Sequence, residues 1–169
     1  MRLAVEQFLE QVAKRGSWVG GGSVAAFTAA LAAALLEKLV VKPQLVVQLK
    51  RIRRHCLWLL KQDARTFSSV IAATRANNRR GFVQALKAAT EVPAQVFEHA
   101  QTIQAACRRT QRVVKPRFQS DLRCAMAVAL AAAESARTLI HTNLAWLNDD
   151  AYTRKTRRRL LRASRRYGR

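Results

Sequence analysis

Apolar side chains recur along this chain at helical rather than strand spacing. Val5, Phe8, Leu9 and Val12 form one stripe, which predicts a short amphipathic helix over residues 3–14. The run Gly20-Gly21-Gly22 ends it, and Ser23 stands where an N-cap belongs, ahead of an alanine-rich helix from Val24 to Val41. Pro43 suits the first turn of a third helix, which Leu45, Leu49, Ile52, Leu59, Leu60, Phe67, Val70 and Ile71 extend to about Ala76. Asn77 and Asn78 break that pattern. A fourth helix runs from Arg79 to Thr110, and Pro93 inside it predicts a kink or short break, since proline lacks a donor and its ring crowds the preceding turn. Beyond Pro116, Ser120 caps a fifth helix that continues through Ala125, Val128, Ala132, Leu139 and Leu144 to about Asn148. The chain after Asp149 is expected to add a helical turn or two, or to fray.

Several of these helices are too apolar to face water on any side. The expected fold class is therefore all-α, a bundle of about five helices that closes into a homodimer through its Ala-rich helices. At 169 residues, half of them hydrophobic, the chain can bury a core without disulfides or metals. Residues 1–150 read as one helical domain and 151–169 as an arginine-rich tail. Cys56, Cys107 and Cys124 are an odd set without CxxC spacing, which argues for small core residues in a reducing cytoplasm rather than a disulfide framework or zinc site. Glu6 and Glu10 interrupt what would be the apolar part of a secretory signal. The uncharged stretch from Gly16 to Leu36 is long enough for a bilayer, but its glycines and alanines insert poorly, so it reads as a buried helix and no membrane span is expected.

Charge changes the picture more than composition does. There are 31 Lys and Arg against 10 Asp and Glu, a net +21, and residues 151–169 hold nine basic and no acidic side chains. Such a surface attracts polyanions: nucleic acid, an anionic membrane surface, or a small ligand with several carboxylates. Residues 154–169 are the segment expected to make a polyanion contact. Tyr152, Leu160, Leu161 and Tyr167 give the tail only a thin apolar face, less than an interfacial helix needs.

Three places are candidates for chemistry. Gly20, Gly21, Gly22 and Ser23 precede an uncharged helix, where bare backbone amides can approach an anion; the alternative is a plain tight turn. No Lys-Ser or Lys-Thr pair follows, so this is not a P-loop. Asp63 lies on or beside the inward stripe of the third helix, between Leu60 and Phe67, where a carboxylate is costly unless it is paired with an arginine or has a function. Asp121, behind Ser120, complements the dipole of the fifth helix. His55, His99 and His141 show no metal-ligand spacing, and no metal is expected. Trp18, beside the glycine turn, is placed to line a pocket for a flat ring.

In their order, Gly20-Gly21-Gly22-Ser23-Val24-Ala25-Ala26, Asp63-Ala64 with Phe67, Ala89-Thr90-Glu91-Val92-Pro93, Ser120-Asp121 and Asn143-Leu144 resemble the cyclodeaminase/cyclohydrolase family. The resemblance spans residues 3–148. It implies a dimeric five-helix domain that binds a tetrahydrofolate derivative as substrate, with no metal. The reaction implied is ring closure of formiminotetrahydrofolate with release of ammonia, or hydrolysis of methenyltetrahydrofolate to formyltetrahydrofolate. It also implies catalytic roles for Asp63 and then Asp121, and ligand contacts from Gly20, Gly21, Gly22, Ser23 and Ser120. A reduced folate, polyglutamylated in some cases, is the expected partner, and basic side chains near the pocket would hold its carboxylates. The alternative is a diverged, non-catalytic helical protein whose basic tail binds nucleic acid or another polyanion.

Overall fold

The computed structural model describes residues 4–167; the predicted start of the first helix at residue 3 and the end of the basic tail at 168–169 lie outside the described residues. Six α-helices and no strand are found among them: α1 (Ala4–Ala13), α2 (Gly21–Glu37), α3 (Pro43–Arg75), α4 (Arg79–Thr110), α5 (Gln119–Leu147) and α6 (Asp150–Tyr167), with one 3-10 turn at Pro116–Phe118. The short connections make α2 to α5 alternate in direction. Each packs on the next, and α2 also packs on both α4 and α5.

The Ala-rich helix lies at the centre because its side chains are small. Ala25, Ala26, Ala29, Ala32 and Ala33 are all buried, and their single methyl groups let α3, α4 and α5 approach closely. Larger residues fill the remaining space, with Leu36, Leu49, Leu59, Ile103 and Ile140 fully buried. Each such side chain stabilises the fold by about 1.5–3 kcal/mol relative to exposure. No helix among the described residues is long and apolar enough to cross a membrane. Cys56 and Cys107 are in the core as expected, whereas Cys124 is exposed.

The turns follow from local chemistry. Asn77 and Asn148 take the left-handed conformation, with φ of 49° and 50°, that asparagine tolerates better than most residues. Asn78 caps α4, its side chain accepting a hydrogen bond from the Gly81 N–H at 2.9 Å. Two expected caps are not formed. α2 starts at Gly21 with Gly20 at the N-cap, so Ser23 lies inside the first turn. α5 starts at Gln119 with Phe118 at the N-cap, which places Ser120 inside the helix. Nor does Pro93 break α4, which runs on through it.

The largest difference from the sequence reading is the tail. It forms a sixth helix of 18 residues rather than a turn or two. Asp149 starts it by accepting the Tyr152 N–H at 2.9 Å, and Leu160 and Ala163 are buried against the body. Arg159 fixes it to α4: its guanidinium donates to Glu98 at 2.6 and 2.8 Å and to Glu91 at 2.7 Å.

Candidate functional site

The alternating helices bring the start of α2, the C-terminal half of α3, the N-terminal half of α4 and the end of α5 to one end of the bundle. A cavity of about 210 Å3 opens there, walled by Trp18, Gly20, Gly21, Gly22, Asp63, Phe67, Ala89, Pro93, Asn143 and Trp146, among others. Its lining is mostly apolar, and among the described residues Asp63 is the one titratable group that lines it. Trp18 and Trp146 are half exposed at its mouth, and Trp18 meets Phe67 edge-on at 6.3 Å between ring centroids.

The Asp63 carboxylate does for α2 what no local side chain does. The first turn of a helix leaves backbone N–H groups without partners, and Gly20 offers no side chain to meet them. Asp63 reaches across from α3, its Oδ2 accepting the Ser23 N–H at 2.7 Å and the Ser23 hydroxyl at 2.9 Å. The same hydroxyl lies 3.2 Å from the Leu60 carbonyl, so its single proton can serve either acceptor. Burial raises the Asp63 pKa above the ordinary carboxylate value, and the two Ser23 hydrogen bonds pull the other way. The result is a carboxylate fixed in position and partly desolvated, with its pKa raised.

Gly22 makes this approach possible. A Cβ there would lie 2.0 Å from Asp63 Oδ1 and 2.5 Å from its Cγ, well inside van der Waals contact. The glycine is needed for space, since its φ is not in the left-handed region.

On the opposite wall, Pro93 has no N–H for the Ala89 carbonyl one turn earlier. Asn143 replaces it, donating from Nδ2 to the Ala89 oxygen at 3.3 Å. The sequence had placed Asn143 and Pro93 only as parts of a pattern. The bond from Asn143 to Ala89 spans 54 residues and leaves no periodic trace.

The remaining sequence candidates are elsewhere. Ser120 and Asp121 lie at the start of α5, about 27 Å along the helix from the cavity residue Leu139 at 1.5 Å per residue. Asp121 pairs there with Lys38 at 2.8 Å, tying the start of α5 to the end of α2. Within one chain, Asp63 and Asp121 therefore do not share a site. His55 Nδ1 and His99 Nε2 lie 2.7 Å apart between α3 and α4, a pair that no short-range spacing revealed. Burial, then the neighbouring His55, lowers the His99 pKa to about 4, against a small opposing effect of Glu98. Among the described residues there is no cluster of three or more His, Cys, Asp or Glu able to hold a metal ion.

With this geometry in view, the sequence model of the family described as Formiminotransferase-cyclodeaminase matches residues 4–42 and 37–162. No curated protein sequence matches the chain. Among solved structures, the crystal structure of formiminotetrahydrofolate cyclodeaminase from Thermotoga maritima superposes with a TM-score of 0.90 at 22% identity, covering 99% of this chain and 91% of that one. The likeness includes α6, since the family match runs to residue 162.

Proposed function

This chain belongs to the formiminotransferase-cyclodeaminase family, and from that premise we propose that the cavity beside Asp63 binds a reduced folate and that Asp63 transfers the proton in its ring closure. The observation that supports this reading best is the carboxylate itself, fixed by Ser23 in a mostly apolar cavity and with a raised pKa. At about 210 Å3 the cavity suits one fused ring system, with the rest of the ligand passing between Trp18 and Trp146.

In the proposed reaction, N10 of formiminotetrahydrofolate attacks the protonated formimino carbon held on N5. The carbon–N10 bond forms, and the intermediate carries an amine on the same carbon. Ionised Asp63 takes the proton from N10 and delivers it to that amine. The carbon–amine bond then breaks, ammonia leaves, and the methenyl bridge retains the positive charge. A carboxylate with a raised pKa is a stronger base than an ordinary one, which suits a shuttle between two nitrogens. Its negative charge also faces a cationic substrate and product in a site of low dielectric. Gly20 to Ser23 orient the ligand through the first turn of α2, and Asn143 faces it across the cavity. We prefer ring closure to the hydrolysis of methenyltetrahydrofolate because the superposed Thermotoga maritima structure is that of a formiminotetrahydrofolate cyclodeaminase. Val24 and Leu31 of α2 and Leu130 of α5 remain exposed, and the homodimer we infer would cover them.

The test follows methenyltetrahydrofolate by its absorbance, starting from formiminotetrahydrofolate. Asp63→Asn keeps an acceptor for the Ser23 N–H, so it should fold, and it should lose on the order of 10²–10⁴ in kcat. Full activity in folded Asp63→Asn would refute the role given to the carboxylate. A wild-type protein that consumes only methenyltetrahydrofolate would replace ring closure by hydrolysis.

A further inference from the structure

We propose that the outward face of α6 is a nucleic-acid-binding surface, which holds the phosphate backbone of a double helix without reading its bases. This goes beyond the folate reading and does not depend on it. The cavity uses Leu86, Ala89 and Pro93 of α4, whereas α6 lies against Glu91 and Glu98, about 200° round the same helix from Ala89.

The inward side of α6 is held by α4. Tyr152, Thr156, Arg159, Leu160 and Ala163 face α4, and Glu91 and Glu98 neutralise Arg159. What remains is open to solvent, along the groove edge and the outer side: Arg154, Lys155, Arg157, Arg158, Arg162 and Arg165 are exposed and form no ion pair among the described residues. Lys155, Arg158 and Arg162 rim a groove of about 820 Å3 between α4 and α6. Arg154 to Arg165 covers about 16 Å of helix, and a duplex offers a phosphate charge roughly every 1.7 Å of its axis. The surface and the polymer are complementary in sign and comparable in charge density.

Other partners fit this face less well. A bilayer would need apolar side chains to insert, but Leu160 and Ala163 are already buried in the protein. Single strands are held by stacking on aromatic rings, and among the described residues the outward face of α6 carries none. A protein interface needs an apolar centre, and among the described residues Leu161 is the only large apolar side chain on this face. A second copy of the chain would bring like charges together.

The experiment uses the full chain and a short fluorescein-labelled DNA duplex, with anisotropy measured from about 50 to 200 mM salt. Arg154→Gln/Arg158→Gln/Arg162→Gln/Arg165→Gln removes four charges from α6, and Lys50→Gln/Arg51→Gln/Arg54→Gln/Lys61→Gln removes four exposed charges from α3 as a control of equal net charge. The α6 variant should weaken binding at least tenfold at the middle of this range and lower the salt slope by about three to four, while the α3 variant keeps most of both. It should also keep the wild-type helical circular dichroism and folate turnover. A duplex of unrelated sequence should bind equally. The proposal is overturned if the wild type does not bind, if the two variants weaken equally, or if vesicles rich in phosphatidylserine compete better than duplex at equal charge. A wild-type chain that binds duplex as expected but shows no folate turnover would count against the folate reading alone.

Discussion

Removing the Asn143 amide exposes how the cavity wall is held. The Ala89 carbonyl is buried in α4, and Pro93, four residues on, has no N–H to give it. Asn143 supplies the donor at 3.3 Å, at the long end for a hydrogen bond. Asn143→Ala leaves the carbonyl without that donor, which costs about 1–2 kcal/mol. Pro93→Ala restores the N–H in register, so the i to i−4 bond closes within the helix and Asn143 is no longer needed. In that background Asn143→Ala should cost almost nothing. The coupling between the two substitutions is therefore expected at about 1–2 kcal/mol. Urea unfolding of the four proteins, followed by far-ultraviolet circular dichroism at one protein concentration, reads it as a midpoint shift of roughly 0.5–1 M between backgrounds. A coupling within about 0.3–0.5 kcal/mol of zero would show that Asn143 does not replace the missing donor, and the reasoning would fail.

Gly22→Ala should displace the Asp63 carboxylate from Ser23, because its Cβ would fall 2.0 Å from Oδ1; steady-state assays should show on the order of a hundredfold loss of turnover with helical content kept. The pH–rate profile should have an acidic limb above the ordinary carboxylate range, since turnover needs ionised Asp63 and burial raises its pKa; a limb at the ordinary value would contradict the site. His99 titrates at about 4 in the folded chain against 6.5 unfolded, so the folded state binds fewer protons between these values. Stability present above pH 6.5 should be lost as the pH falls towards 4, by about 3 kcal/mol in total, and urea midpoints of His99→Gln should lack most of that slope. Arg159→Gln leaves Glu91 and Glu98 without their shared partner; at about a third exposure the ion pairs are partly screened, so a loss of about 1 kcal/mol is expected, with faster trypsin cleavage in α6.

The helices were legible where side chains repeat locally. The stripe from Leu45 to Ile71, the stop at Asn77 and Asn78, and the buried alanine helix all follow from periodicity and turn chemistry. The glycine run and Asp63 were legible as candidates one by one, but not as partners: their contact spans 40 residues, and only tertiary packing creates it. Ser23 was read as a cap because it follows glycine, whereas the carboxylate from α3 does that work and frees the helix to start earlier. Asp121 stood second to Asp63 as a catalytic candidate because alternation of direction cannot be read from residue types; it sends the start of α5 to the far end of the bundle. α6 was underestimated because its inward side uses Thr156, Ala163 and the stem of Arg159, which register weakly as apolar amid so many charges.

The cavity at the end of the bundle draws its walls from residues as far apart as Ser17 and Trp146. No contiguous part of the chain contains it. During refolding, helical signal will return as each segment winds, while catalytic competence must wait until the last of four helices has docked. Recovered turnover is thus a clock for the final step of assembly, and a nick in any connecting loop is tolerated only as long as the pieces stay together.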